Sequence, residues 1–235
     1  MQKQENQMMV PLAIIIAGLF IAAAIYFGGS SKPISGSLTG NDPNSTVLAT
    51  GSVVAPVSDK DHLRGDPNAK VIIVEYTDFE CPFCKAFHNT MQQIMSSYDP
   101  SEVALVYRQF PIVQLHSKAP KEAEASECVA ELGGNSAFWK FADQIFATTG
   151  SNDTLDPAQL PILASAVGVN TEAFNTCLSS GKYTEKINDA VAAAAKAGAQ
   201  GTPYSVAMTK DGKKVVINGA QPFQTVKATI DSLLK

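Results

Sequence analysis

The chain has 235 residues, of which 45% are apolar, and a formal net charge of −4. This length and composition suit one globular domain of ordinary core size with appended segments. Its lysine and arginine residues are scattered along the chain, which excludes a basic groove or stripe of the kind that binds nucleic acid.

The N-terminal part predicts a membrane anchor followed by a tether. After a short cytoplasmic segment, residues 1–9, the uncharged run over residues 10–27 would be about 27 Å long as a helix, close to the thickness of a bilayer's hydrocarbon core. We therefore predict a transmembrane helix over residues 10–28. A cleaved signal peptide is the alternative, although the run is longer than the usual apolar core of such a peptide. Residues 29–58 predict a flexible linker, in which the segment 52–57 is a candidate edge strand.

Cysteine usage indicates the compartment. Four cysteines, an even number, accompany a membrane-insertion segment. That combination favours an oxidising environment for the folded part. We predict a single-pass protein of the cell membrane whose catalytic domain is extracytoplasmic.

The domain over residues 59–235 begins with a strand, a helix and a second strand. Residues 71–76 form an apolar run typical of a buried strand, residues 82–98 have a helical pattern, and residues 103–110 again predict a strand. A βαβ unit is the simplest structure that this order allows.

An alanine-rich segment follows, with no strand pattern over about residues 116–199. It divides into helical pieces at glycines and prolines, including Gly133-Gly134. Strand patterns return at residues 204–209 and 213–217 around Asp211-Gly212, which is a hairpin signal. A closing helix is predicted by its apolar face, namely Phe223, Val226, Ile230, Leu233 and Leu234.

Two cysteines, Cys81 and Cys84, lie three residues apart where the first strand gives way to the helix. Residues at this spacing on a helix are about 5 to 6 Å apart, within the range that a disulfide spans. Cys81 would lie at the helix start, where free N–H groups and the helix dipole favour a thiolate, and Pro82 suits the first helical position. We predict a redox pair with Cys84 as the shielded partner.

A permanent disulfide or half of a zinc site are the alternatives for this pair. Zinc would need two further ligands from Cys128, Cys177 and the histidines, which form no second close-spaced pair. We expect no metal and no cofactor.

Several acidic residues and histidines lie near the pair in sequence. Glu75 lies inside the apolar strand, where a carboxylate is costly unless it is hydrogen-bonded or protonated; an edge position facing water is the alternative. Asp78 is interpreted as a solvated loop residue or an acid at the helix start. Glu80 is interpreted as a flanking charge that slightly disfavours a thiolate, and His88 as a partly exposed helix residue. His116 begins the insertion and belongs to no metal motif.

The sequence resembles the DsbA family of thiol-disulfide oxidoreductases, in particular the membrane-anchored DsbA-like proteins of bacteria, over about residues 61–235. The segments that carry the resemblance are VEYTDFECPFC at residues 74–84, Ser126-Glu127-Cys128, Phe138-Trp139, Cys177-Leu178 and Gly201-Thr202-Pro203. The resemblance implies an α/β, thioredoxin-like fold with an inserted helical domain.

The resemblance also implies roles for individual residues. Glu75 would lie beneath the redox pair and move protons to and from the buried thiol. Pro203 would be a cis-proline facing the disulfide, and Thr202 would offer main-chain hydrogen bonds to an extended substrate. Pro82 and Phe83 complete the predicted substrate-binding residues.

Cys128 and Cys177 lie in separate helical segments of the insertion, and we predict a structural disulfide between them. It would close a loop of about fifty residues and contribute about 4 kcal/mol by restricting the unfolded chain. DsbA-like relatives with helical insertions have a comparable pair, which supports the prediction by analogy.

The leading functional hypothesis is a monomeric enzyme that oxidises the thiols of unfolded secreted proteins. The family implies reoxidation by a quinone-linked membrane partner. Phe83 occupies the position where the best-known oxidant has histidine, so one donor that could stabilise a Cys81 thiolate is missing. A disulfide reductase or isomerase, and a membrane-tethered chaperone with a non-catalytic disulfide, are the alternatives.

Overall fold

The computed structural model describes residues 53–235. These residues form a five-stranded sheet and six helices. Along the chain the elements are β1 (His62–Arg64), β2 (Val71–Thr77), α1 (Pro82–Ser97), β3 (Val103–Gln109), α2 (Ala119–Thr148), α3 (Gln159–Ala166), α4 (Thr171–Ser180), α5 (Thr184–Lys196), β4 (Tyr204–Thr209), β5 (Lys214–Asn218) and α6 (Phe223–Leu233).

Strand β2 lies at the centre of the sheet, whose order is β1-β3-β2-β4-β5. It pairs in parallel with β3 and antiparallel with β4, while β1 and β5 form antiparallel edges. The parallel pair requires a crossover connection, and α1 supplies it. The strand carries apolar side chains on both faces because both faces of the sheet are covered.

The two faces of β2 lead to two different apolar clusters. Val71 and Ile73 pack into the larger cluster with α1, whereas Val74 and Tyr76 face the smaller cluster on the other side. Since strand side chains alternate between faces, Glu75 and Thr77 share the face of Ile73. A carboxyl group is therefore directed toward the side of the sheet that α1 covers.

Helix α1 packs on that face through a stripe of buried side chains at helical spacing, namely Cys84, Phe87, His88, Met91 and Ile94. Pro82 occupies the first turn, where its missing N–H is not needed. The stripe fixes the rotation of the helix about its axis and so directs Cys84 inward.

Helices α2 to α5 form the insertion between β3 and β4. Aromatic side chains of α2 pack inside it, with Phe138, Phe141 and Phe146 buried. A disulfide joins Cys128 of α2 to Cys177 of α4, with Cα atoms 5.9 Å apart. The insertion therefore has its own apolar interior and its own covalent link.

The predicted order of βαβ unit, helical insertion, hairpin and closing helix is confirmed. The break predicted at Gly133-Gly134 is also confirmed, because two helical pieces of α2 meet at Gly134, whose φ of 75° favours glycine. One local prediction was wrong. Residues 53–57 form no strand, and the edge is β1, whose three residues are too few to show a pattern.

The predicted transmembrane helix over residues 10–28, and all but the last residues of the predicted linker over residues 29–58, lie outside the described residues. Within residues 53–235, no helix combines the length and the apolar character needed to cross a bilayer.

Candidate functional site

Cys81 lies at the junction of β2 and α1. It is the residue that precedes the helix, with an extended backbone (φ −76°, ψ 122°), and its side chain makes no capping hydrogen bond. Its own amide donates to the Asp78 carbonyl at 3.2 Å, and its carbonyl accepts from the amide of Lys85 at 3.0 Å. The sulfur is therefore held at the positive end of the helix, as predicted from the position of Pro82.

Cys81 and Cys84 are free thiols in this structure and differ in exposure. Cys81 retains 4% of its surface in contact with solvent, whereas Cys84 has none. Both cysteines are therefore buried, and Cys81 is the more exposed of the two.

The loop before β4 faces Cys81. The Cys81 thiol donates to the main-chain carbonyl of Thr202 at 3.4 Å, and the peptide bond between Thr202 and Pro203 is cis. The structure thus brings the predicted substrate-binding loop to Cys81, although the two are 121 residues apart in the chain.

The pKa values of the two thiols are shifted in opposite directions. A hydrogen bond from Cys84 is the main cause that lowers the pKa of Cys81 from 9.0 to about 6; burial opposes it, and Thr202 contributes further. Burial, followed by the hydrogen bond and the charge of Cys81, raises the pKa of Cys84 well above 9.0. The pair therefore favours a thiolate at Cys81 and a protonated thiol at Cys84.

Glu75 lies on the sheet face that α1 covers and is buried, which excludes the alternative of an edge position facing water. Its register partners are Tyr107 on β3 and Ser205 on β4. Burial raises the pKa of Glu75 to about 7, and the neighbouring Thr77 hydroxyl opposes the shift. At neutral pH this carboxyl can therefore both release and accept a proton.

Three buried hydroxyl groups accompany Glu75 on the same face and were missed by the sequence analysis. Within the described residues, the hydroxyls of Thr77, Tyr107 and Ser205 have no hydrogen-bond partner that meets normal geometry. Thr77 nevertheless lies close enough to lower the pKa values of both Glu75 and Cys84. Strand alternation could have identified Thr77, two residues after Glu75, but not the cross-strand neighbours.

Asp78 is not a solvated loop residue, as the sequence suggested, because it is 1% exposed. Its Oδ1 accepts from the amide of Glu80 at 2.9 Å. Its Oδ2 accepts from the amide of Ile112 at 2.8 Å and bonds Nδ1 of His116 at 2.9 Å. The interpretation failed because these partners come from a loop more than thirty residues later in the chain.

Glu80 is also buried rather than a flanking surface charge. Its carboxyl accepts from the Thr149 hydroxyl at 2.9 Å and from the amides of Thr154 and Leu155 at 3.2 Å. Glu122 lies close by, and burial followed by the charge of Glu80 raises the pKa of Glu122 to about 9. Glu80 therefore attaches the loop after α2 to the turn that carries Cys81.

The remaining histidines are buried, so the expectation of a partly exposed His88 was wrong. His88 bonds Asp143 at 2.9 Å, and His62 bonds Glu127 at 3.0 Å. In the part of the chain that the structure describes, no group of three or more His, Cys, Asp and Glu side chains is arranged to hold a metal ion.

Apolar side chains are exposed on the active-site turn and on the loop that follows β3. Phe83, between the two cysteines, is 65% exposed, and Val113 and Leu115 are 51% and 69% exposed. The loop that carries Val113 and Leu115 is attached to this turn through Asp78, because the Ile112 amide donates to its carboxyl. The surface next to Cys81 is thus suited to contacts with apolar groups of another polypeptide.

Comparisons with known proteins agree with this geometry. A family model described as thioredoxin matches residues 57–232. The crystal structure of Pseudomonas aeruginosa DsbA2 is 28% identical, with a TM-score of 0.65, and the match covers 76% of this chain and 97% of that one. The crystal structure of Wolbachia pipientis alpha-DsbA1 is 26% identical, with a TM-score of 0.65, and the match covers 76% of this chain and 92% of that one. Oxidised BdbD from Bacillus subtilis, at 23% identity and a TM-score of 0.67 over 78% and 98%, shares the fold.

Curated relatives are larger proteins. The Na(+)/H(+) antiporter NhaA 3 of Salinispora tropica is 34% identical over 152 residues, which are 64% of this chain and 22% of that protein. The NhaA antiporter of Herminiimonas arsenicoxydans is 28% identical over 172 residues, 73% of this chain and 25% of that protein. The chain therefore spans about a fifth to a quarter of the length of these relatives.

Proposed function

Because the chain belongs to the thioredoxin family and is DsbA-like, we propose that it is a protein thiol-disulfide oxidoreductase that works through Cys81 and Cys84. The observation that carries the proposal is the asymmetry of the pair: Cys81 is acidic and retains a small exposed surface, whereas Cys84 is fully enclosed and held as a thiol.

The exchange proceeds in two steps. A thiolate of the substrate attacks Cys81 Sγ of the oxidised pair, the Cys81–Cys84 bond breaks, and Cys84 leaves as a thiolate that takes up a proton. A second substrate thiolate then attacks the substrate sulfur of the mixed disulfide and expels the Cys81 thiolate. The substrate has lost two electrons and two protons and gained a disulfide, and Cys81 and Cys84 are reduced.

Oxidation of substrates is the favoured direction. A pKa of about 6 at Cys81 stabilises the reduced enzyme at neutral pH, because its thiolate is then the more populated form. Stabilising the reduced form makes the disulfide a stronger oxidant. The low pKa also makes Cys81 a good leaving group in the second step.

Glu75 supports the proton transfer that the first step requires. Cys84 needs a proton as it leaves, and the nearby Glu75 carboxyl, with a pKa of about 7, holds one at neutral pH. Thr77 lies close to both groups. We assign Glu75 the role of proton donor to Cys84, and of acceptor when the pair is reoxidised.

The substrate is an unfolded secreted polypeptide with free cysteines. The main chain of Thr202, next to Pro203, lies beside Cys81 and can align an extended peptide through backbone hydrogen bonds. Pro82 and the exposed Phe83 provide apolar contact that depends little on the sequence of the substrate.

The cellular setting is part of the proposal. An anchor over residues 10–28 would hold a monomeric domain at the outer side of the cell membrane, in an oxidising compartment. A quinone-linked membrane protein would accept the two electrons of the reduced pair and restore the disulfide. The apolar run in the sequence and the even number of cysteines support this setting.

The test is turnover of a reduced peptide that contains two cysteines, by the full-length chain in a glutathione redox buffer. The proposal predicts peptide oxidation that Cys81→Ser and Cys84→Ser both abolish. Turnover that persists in both variants would contradict it, because the oxidation would then not pass through this pair. Reduction of a peptide disulfide in preference to oxidation of the dithiol would contradict the oxidase direction.

A further inference from the structure

The position between the two cysteines offers no charge to a Cys81 thiolate, because it holds Phe83, which is apolar and 65% exposed. Two acidic side chains, Asp78 and Glu80, flank the same turn and are buried with it. A thiolate there needs a nearby cation or further hydrogen bonds, since a buried anion beside carboxyl groups is unfavourable.

His116 is the imidazole attached to this turn. Its Nδ1 lies 2.9 Å from Asp78 Oδ2, and the carbonyl of the same Asp78 accepts the Cys81 amide at 3.2 Å. The ring is 4% exposed, and its backbone amide is fixed by a 2.9 Å bond to the Ile112 carbonyl. Asp78 thus connects the ring on one side to Cys81 on the other.

From these contacts we propose that His116 is a positioning residue that, as an imidazolium paired with Asp78, supplies the positive charge that stabilises the Cys81 thiolate. The inference rests on the proposed function, because it concerns the same sulfur. The residues between the two cysteines, Pro82 and Phe83, carry no charge. The positive charge would come instead from His116, which lies in a loop 35 residues after Cys81.

The state of the imidazole follows from its partners. With Nδ1 committed to Asp78, protonation adds the second proton at Nε2, which makes no hydrogen bond to any residue from 53 to 235. Burial lowers the pKa of His116, but Asp78, Cys81 and Asp153 together raise it above 6.5. A carboxylate at this distance favours the imidazolium form over the neutral ring.

The other charged groups around this turn do not replace His116. Asp153 accepts from the Ser117 and Lys118 amides beside the imidazole and adds to its positive character. Glu122 and Glu80 are acidic and supply no positive charge, and burial together with the charge of Glu80 raises the pKa of Glu122. The cation on α1, Lys85, is engaged with the Thr149 carbonyl at 2.5 Å.

The first test compares His116→Asn with His62→Asn in the reduced full-length protein. Asparagine keeps a donor near the position of Nδ1 but carries no charge, and His62 is the matched control because it is also a buried histidine bonded to a carboxyl. We expect the Cys81 pKa, read from the pH dependence of alkylation, to rise by about one unit in His116→Asn only. At pH 6 that shift lowers the alkylation rate about fivefold. An unchanged profile, or equal shifts in both variants, overturns the inference.

The second test needs no variant that might misfold. Coupling between two sites is reciprocal, so a charge on Cys81 must change the titration of His116 as much as His116 changes that of Cys81. We expect NMR titration of the wild-type full-length chain to place the His116 pKa about one unit higher in the reduced than in the oxidised protein. The same His116 pKa in both redox states overturns the inference.

Neither readout involves a substrate or a reoxidising partner. A chain that oxidises peptides without this coupling loses only the role of His116. A chain that shows the coupling but does not exchange disulfides with peptides supports the role of His116 and contradicts the proposed function.

Discussion

At the scale of single residues, the acidity of Cys81 depends mainly on its neighbour Cys84. The hydrogen bond from Cys84 is the largest cause of the lowered pKa, ahead of the Thr202 side chain and the backbone amides of Cys84 and Phe83 at the helix start. Serine at position 84 keeps a donor of similar reach, whereas alanine removes it.

We therefore expect the pKa of Cys81 to be higher in Cys84→Ala than in Cys84→Ser, because only the second variant can donate to the thiolate. The pH dependence of Cys81 alkylation measures both values in otherwise identical chains. Equal pKa values in the two variants would show that the helix and the Thr202 loop, rather than residue 84, set the acidity.

Glu75 makes the stability of the protein depend on pH. Burial raises its pKa from 4.5 to about 7, so the folded protein binds a proton that the unfolded chain releases between these values. The contribution of Glu75 to the free energy of unfolding is fully present below pH 4.5 and is lost as the pH rises through about 7.

Glu75→Gln removes this dependence. Relative to wild type, we expect the free energy of unfolding of the variant to gain roughly 3 kcal/mol between pH 4 and pH 8, because the isosteric amide never ionises. Urea unfolding at the two pH values measures the change. If the difference in free energy of unfolding between the variant and wild type were the same at both pH values, the burial of the Glu75 carboxyl would be contradicted.

At the scale of elements, the turn between β2 and α1 is held by side chains from distant loops. Glu80 accepts hydrogen bonds from residues 149, 154 and 155, about seventy positions later. Nothing local distinguishes Glu80 from a surface acid. The redox turn is therefore recognisable from the sequence, whereas the burial of Asp78 and Glu80 is not.

The same chemical change at Glu80 and Glu122 should have different consequences. Glu80→Gln places an NH₂ group against hydrogen-bond donors and should lower the free energy of unfolding by about 2 kcal/mol. Glu122→Gln mimics a carboxyl whose pKa is about 9 and which is therefore protonated at neutral pH, so its cost should stay below about 1 kcal/mol. Chemical denaturation at pH 7 measures both. Equal costs would show that Glu122 is not the protonated member of the pair.

Regular elements were predictable because their patterns are local. The apolar run of β2, the stripe on α1 and the hairpin signal at Asp211-Gly212 each specify an element within a few residues. Edge strand β1 was missed because it has three residues, and its pairing with β3 depends on residues more than forty positions away.

At the scale of the whole molecule, two pairs of cysteines have separate environments. Cys128 and Cys177 are joined within the insertion, whereas Cys81 and Cys84 are free thiols at the end of the sheet. The spacing of Cys81 and Cys84 was visible in the sequence. The proximity of Thr202 and His116 to that pair depends on the assembled fold. Only the position of Thr202 could be predicted, and only from the resemblance to a known family.

The most direct measurement of the central claim is the redox equilibrium of the full-length chain in defined glutathione buffers, with mass-spectrometric mapping of each thiol. We predict that Cys81 and Cys84 interconvert as one two-electron pair while Cys128 and Cys177 stay joined. For an oxidase, the midpoint should lie nearer to about −120 mV, typical of a strong oxidant, than to about −270 mV, typical of a reductant. A chain in which Cys81 and Cys84 form no disulfide at any buffer ratio would contradict the account.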